Sequence, residues 1–177
     1  MKYFNYLVAL QMGRPRPWHL KKYRHRNHQA PQAERVIRLR PHHFLCTLTF
    51  VGKGYNPKFT ANMAAIIKKI NAGEEIEIVD GPDDICAPLI NRFWTGKLAH
   101  CHRKRVVTRD KAAALDISRL LSISVQSGDR IKLPGTEIKT LRQGFAADSI
   151  RAACKSCPWN SLCSSVAAAG YVQHQVN

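Results

Sequence analysis

Residues 36–40, VIRLR, alternate apolar and basic side chains, with Ile37 and Leu39 on one face and Arg38 and Arg40 on the other. Period-two alternation of this kind predicts a half-buried strand. Residues 74–79, EEIEIV, repeat the pattern, with Ile76 and Ile78 opposite Glu75 and Glu77. Between the two runs the period changes. Phe59, Met63, Ile66 and Ile70 recur at helical spacing after Asn56, a good N-cap, and Pro57, which suits the first helical position. Gly73 supplies a stop. Strand, helix and strand in this order predict a parallel pair joined by a right-handed crossover. The arginine face of the first strand then lies beside the glutamate face of the second, which favours the pairing by about 0.2–1 kcal/mol per opposed pair.

Beyond residue 105 the pattern is mostly helical. Thr108 is placed to cap a helix with Ala114, Ile117 and Leu121 on one face. DRIKLP, residues 129–134, reads as a short edge strand ended by Pro134. Ile138, Leu141 and Phe145 mark another helix. A last one runs from Asn160 to near Gly170, with Leu162, Val166 and Ala169 on one side. The expected fold is α+β: a small, helix-rich single domain over residues 36–170 with a short, parallel two- to three-stranded sheet, and a tail at 171–177.

The first 35 residues break the pattern. GRPRPWHLKKYRHRNHQAPQAER has three prolines, dense positive charge and no apolar period, and reads as a disordered basic arm. Of the chain's net charge of +16, residues 1–40 carry +9. Charge of this size draws a protein to nucleic acid, anionic membrane or an acidic partner without selecting among them. The apolar YFNYLVAL near the start contains Asn5 and leads to no small-residue cleavage site, so it is a poor export signal. A start at Met12 or an organelle presequence are the other readings. No apolar run approaches the roughly 20 residues of a membrane span.

The chemistry lies in six cysteines: Cys46, Cys86, Cys101, Cys154, Cys157 and Cys163. With no credible export signal, they fit a metal or redox site in the cytoplasm better than a disulfide framework. CKSCPWNSLC, residues 154–163, has the form C-x2-C-x5-C. One turn of C-x2-C presents two thiolates to one ion. Cys163 falls in the first turn of the last helix, where the helix dipole favours a thiolate. Trp159 can shield a cluster from water. The even pairs of C-x2-C and the H-x3–5-H partners typical of zinc are missing, so an iron–sulfur cluster, in all expectation [4Fe–4S], is favoured over zinc, a redox pair or a disulfide. Cys86 and Cys101 are the leading candidates for a fourth ligand, with His100 and His102 beside the latter. Cys46 lies in the apolar FLCTLTF and reads first as a buried free thiol.

A parallel pair brings two strand ends to one edge of the sheet, where ligand sites form. The loops expected there are PHHFLC, with His42, His43 and Cys46, and DGPDDIC, with Asp80, Asp83, Asp84 and Cys86. Gly52 and Gly54 read as a tight turn rather than a phosphate loop.

From about residue 36 to 168 the chain resembles a family of small bacterial and archaeal proteins, domain of unknown function 1284. The resemblance runs through RLRPHHFLC (38–46), GKGYNPKF (52–59), DGPDDIC (80–86), HC (100–101) and CKSCPWNSLC (154–163). It implies an iron–sulfur cluster and no assigned reaction. In one place the chain departs from that pattern: Leu89 stands where the family shows a second cysteine, three residues after Cys86. Three functions follow as expectations. The first is electron transfer or redox sensing with a redox partner protein. The second is a nucleic-acid binding module that uses the basic arm. The third is a metal-dependent enzyme at the His/Asp/Cys edge.

Overall fold

The computed structural model describes residues 36–90, 100–172 and Val176. They all belong to one compact unit, Ala33–Asn177. The basic arm expected over residues 1–35 lies outside the described residues.

Three short strands form one sheet in the order β1 (Ile37–Leu39), β2 (Ile76–Ile78), β3 (Arg130–Ile131). β1 and β2 are parallel, with Ile37 opposite Ile76 and Arg38 opposite Glu77. β3 adds antiparallel on the outer side of β2, and its Arg130 reaches Glu75 across 3.4 Å. The sheet is therefore mixed, with the parallel part where the alternation placed it. The crossover helix α2 (Pro57–Asn71) has the expected start, since the Asn56 side chain accepts a hydrogen bond from the Phe59 backbone N–H. Phe59, Met63, Ile66 and Ile70 all turn inward, joined by Ile67. Gly73, with φ +79°, takes the left-handed conformation that ends the helix.

One element was read differently from sequence. PHHFLC, expected as a loop, opens helix α1 (Pro41–Leu48), with Pro41 at its first position. Proline there loses no helical hydrogen bond and presets the backbone. Arg40 becomes the N-cap instead of the last outward residue of a strand. Its side chain, expected on the polar face, is 0% exposed.

The other helices are α3 (Lys104–Leu121), α4 (Gly135–Ala146) and α5 (Asn160–Ala168). α3 begins a turn earlier than expected, so Thr108 is no cap. Its hydroxyl donates back to the Lys104 carbonyl inside the helix. The buried face accordingly shifts to Val106, Asp110, Ala113 and Ile117. Ile138, Leu141 and Phe145 of α4 are buried as expected. α5 buries no residue fully, and Ala169 beyond its end is exposed.

One core joins the sheet to α1, α2, α3 and α4, with Leu39, Phe44, Leu48, Ile117 and Leu141 nearly or completely enclosed. α1 packs on both α3 and α4, and α3 packs on the short turn Ala152–Cys154. These contacts carry the end of α1 towards the cysteine-rich segment. No helix among the described residues is long and apolar enough to cross a membrane.

Candidate metal centre

In α1, residues three and four apart share a face. His42 and His43 therefore stand one turn from Cys46 on the same side of the helix. That side borders a cavity of about 100 Å³. Across it lie Cys154, Cys157 and Cys163. The cavity is thus bordered by four cysteine sulfurs, three from the C-terminal knot and one from the N-terminal helix. Cys46 is the sulfur that the sequence weighed last. Neither Cys86 nor Cys101 lines this cavity.

The knot is held by its own backbone. Cys157 N–H donates to the Cys154 carbonyl at 2.9 Å, and Asn160 N–H to the Cys157 carbonyl at 3.1 Å. The Asn160 amide returns a bond to the Cys154 carbonyl at 2.9 Å. Arg151 clamps the start of α5 through Asn160 Oδ1 at 2.6 Å and Ser164 Oγ at 2.8 Å. Cys163 lies in the first turn of α5, as the sequence indicated, and its sulfur accepts the Thr49 hydroxyl at 3.2 Å. Trp159 meets Tyr55 edge-on at 5.6 Å, and Tyr55 meets Phe59 at 5.2 Å, so aromatic rings close one side. The chain approaches them at Gly54. A Cβ there would stand 2.7 Å from Phe59 Cδ1, closer than packing permits.

Burial sets the electrostatics. It pushes the Cys46 thiol well above its ordinary value, and the three neighbouring sulfurs push the same way. Burial, with Cys157 adding, raises Cys154 to about 11. Burial also raises Cys163. Three thiols with raised values, Cys46, Cys154 and Cys163, make a poor set of free thiolates. They become thiolates when a cation replaces their protons. Arg109 supplies a second sign that an acceptor belongs in the cavity. Its Nη2 donates to the Ser156 carbonyl at 2.7 Å, while its Nε is buried without a hydrogen-bond partner. A buried unpaired N–H is costly, and metal-bound sulfur is an acceptor suited to it. Four thiols and an unpaired donor fit a four-cysteine metal group.

Behind the histidines stand two carboxylates. His42 Nδ1 lies 2.6 Å from Asp110 Oδ1, and His43 Nδ1 lies 2.6 Å from Asp83 Oδ2. The rings are 4.3 Å apart. Burial and the adjacent His43 lower His42 to about 4, against the pull of Asp110. His42 is thus neutral at pH 7, donates through Nδ1, and keeps Nε2 as its free nitrogen. Burial alone would raise both acids. His43 and the Arg40 backbone N–H hold Asp83 down at about 2. Hydrogen bonds from His42 and Arg40 hold Asp110 below the usual carboxylate range. Arg40 grips Asp110 with Nε at 3.0 Å and Nη2 at 2.5 Å, and donates Nη1 to the Cys101 carbonyl at 2.9 Å.

The expected gathering at the strand ends is present in part. His43, Asp83 and Cys86 come together. Asp84 instead accepts the Arg38 N–H at 2.9 Å, and Asp80 is exposed. Cys101 and Cys86 are hydrogen-bonded to one another, which lowers Cys101 to about 6 and raises Cys86. The His100 side chain lies outside the described residues, and His102 is exposed. Leu89 sits one tight turn after Cys86, with its N–H on the Cys86 carbonyl at 2.8 Å, and packs against the core. Arg40, Arg109 and Asp110 were not picked out from sequence. Only the misfit of an acid within the face of Val106, Ala113 and Ile117 could have flagged Asp110.

No curated protein and no solved structure matches this chain. A family model matches residues 54–163, which cover more than half of the chain and include the knot, Cys86 and Cys101. The chain therefore belongs to the family described as protein of unknown function (DUF1284).

Proposed function

We propose that the chain is an iron–sulfur protein whose cluster, [4Fe–4S], is held by Cys46, Cys154, Cys157 and Cys163. The observation that carries this reading is the meeting of four cysteine sulfurs around one cavity that Arg109, with its unpaired Nε, also lines. When bound, such a cluster supplies one-electron chemistry. The protein's part is to hold and tune. α1 and α5 fix two ligands on helices, and the hydrogen-bonded turn fixes the other two. Arg109 and the Thr49 hydroxyl offer donors to the sulfurs, which favours the more negative, reduced state. Trp159 and Tyr55 limit water. The proposed role is electron transfer or redox sensing, with a redox partner protein. Six free cysteines suit a reducing compartment such as the cytoplasm. The basic N-terminal arm is proposed to engage an acidic partner, nucleic acid included.

Anaerobic purification tests the cluster. The protein should be brown, with visible absorption that bleaches on dithionite and returns in air. Colourless protein with one equivalent of zinc in this cavity would contradict the iron–sulfur reading.

A further inference from the structure

Below the start of α1 lies a second group of ligand-bearing side chains. The parallel pairing of β1 and β2 builds it. Backbone bonds from Val79 to Leu39, at 3.0 Å, and from Asp84 to Arg38, at 3.1 Å, fold the loop after β2 back under the end of β1. That brings Asp83 beneath the first turn of α1. Asp83 is 5% exposed and fixed from three sides: the Arg40 N–H at 2.9 Å, the Cys86 N–H at 3.0 Å and His43 at 2.6 Å. The short turn His100–His102 brings in Cys101, which is 7% exposed. Arg40 holds its carbonyl, and its thiol is hydrogen-bonded to that of Cys86.

His43, Asp83 and Cys86 each present a ligand atom within 4.8 Å of the others. The ligand atoms of a tetrahedral zinc ion stand about 3.3–3.8 Å apart, given bonds of 2.0–2.3 Å. The three groups would have to draw together on binding, and Cys101, which stands outside this trio, would have to join them through its contact with Cys86. The donors are two sulfurs, an imidazole and a carboxylate. Such a mixed set suits Zn²⁺, whereas a cluster calls for more thiolates. With both cysteines ionised, the bound ion leaves one excess negative charge, and the buried Arg40 guanidinium stands beside it. Asp83, Cys86 and Cys101 are all absent from the wall of the four-cysteine cavity, and of the four groups His43 alone borders it. A disulfide between Cys86 and Cys101 would use only two of the four groups.

We infer that Cys86, Cys101, His43 and Asp83 form a second, mononuclear zinc centre, separate from the four-cysteine site. It ties together the start of α1, the loop after β2 and the turn that leads into α3. The inference goes beyond the proposed cluster and does not depend on it.

The test is elemental analysis of the full chain expressed with added zinc. About one zinc per chain is expected. It should persist in the Cys154→Ser/Cys163→Ser double variant and disappear in Cys86→Ser and in Cys101→Ser. Asp83→Asn, which removes a direct ligand, should weaken zinc affinity by more than the roughly 10–100-fold that loss of an outer-shell partner costs. Cobalt(II) added to the zinc-free double variant should give the intense absorption of a thiolate-bound tetrahedral site. If the cysteine variants fail to fold, alkylation of the unaltered protein decides. Zinc should protect Cys86 and Cys101 together, and a chelator should release both, as mapped by mass spectrometry. Zinc that is lost with Cys154 and Cys163 but kept without Cys86 would overturn this centre. So would a Cys86–Cys101 disulfide in protein purified under reducing conditions.

Discussion

At the scale of single residues, the most exposed dependence of the fold is the Arg40–Asp110 pair. A fully buried guanidinium is tolerated because Asp110 meets it with two bonds and the Cys101 carbonyl takes a third. Removing one partner of such a pair leaves an uncompensated buried charge. Asp110→Asn should therefore lose about 3–5 kcal/mol of stability in denaturant unfolding. The same pair sets a pH dependence. Asp110 has a lowered value in the folded chain, so its contribution is complete above the ordinary carboxylate value of about 3.9. It is lost as pH falls through the lowered folded value, and Asp110→Asn should lack that share of the acid sensitivity. The groups facing Asp110 are Arg40 and His42. Sequence reading assigned Arg40 to an outward face by strict alternation. Alternation holds only while the strand lasts, and this one stops at Leu39.

At the scale of elements, α2 shows local signals that agree with the tertiary outcome. Asn56, Pro57, the apolar spacing and Gly73 all point to one helix. Asn56→Ala should cost about 1 kcal/mol through the lost cap, read as a lowered Tm. The parallel pairing of β1 and β2 was legible for a similar reason: the alternation, the crossover length and the charge match agree. α1 was not legible. Eight residues beginning PHH offer no polar cap side chain, and only Pro41 hinted at a helix start. That one missed helix explains why Cys46 was not placed at the cavity. As a loop, PHHFLC gives Cys46 no defined direction. As a helix, it places Cys46 one turn beyond His42 and His43 and on their side. The early start of α3 went unseen because the basic residues 103–105 carry no apolar period.

At the scale of the whole molecule, two ends of the domain meet at the cavity. Cys46 follows β1, and the other three sulfurs close the chain 108 to 117 residues later. No local pattern encodes such a contact. It arises from the packing of α1 on α3 and of α3 on the turn at 152–154. A group bound there would link α1 to α5 and should raise the stability of the whole domain by mass action. The central claim is that Cys46 completes this site. It is tested most directly by iron and sulfide content after anaerobic reconstitution of Cys46→Ser beside Cys86→Ser. The account predicts about four iron and four sulfide per chain in the unaltered protein and in Cys86→Ser, and little of either in Cys46→Ser. A full cluster in Cys46→Ser together with its loss in Cys86→Ser would contradict it.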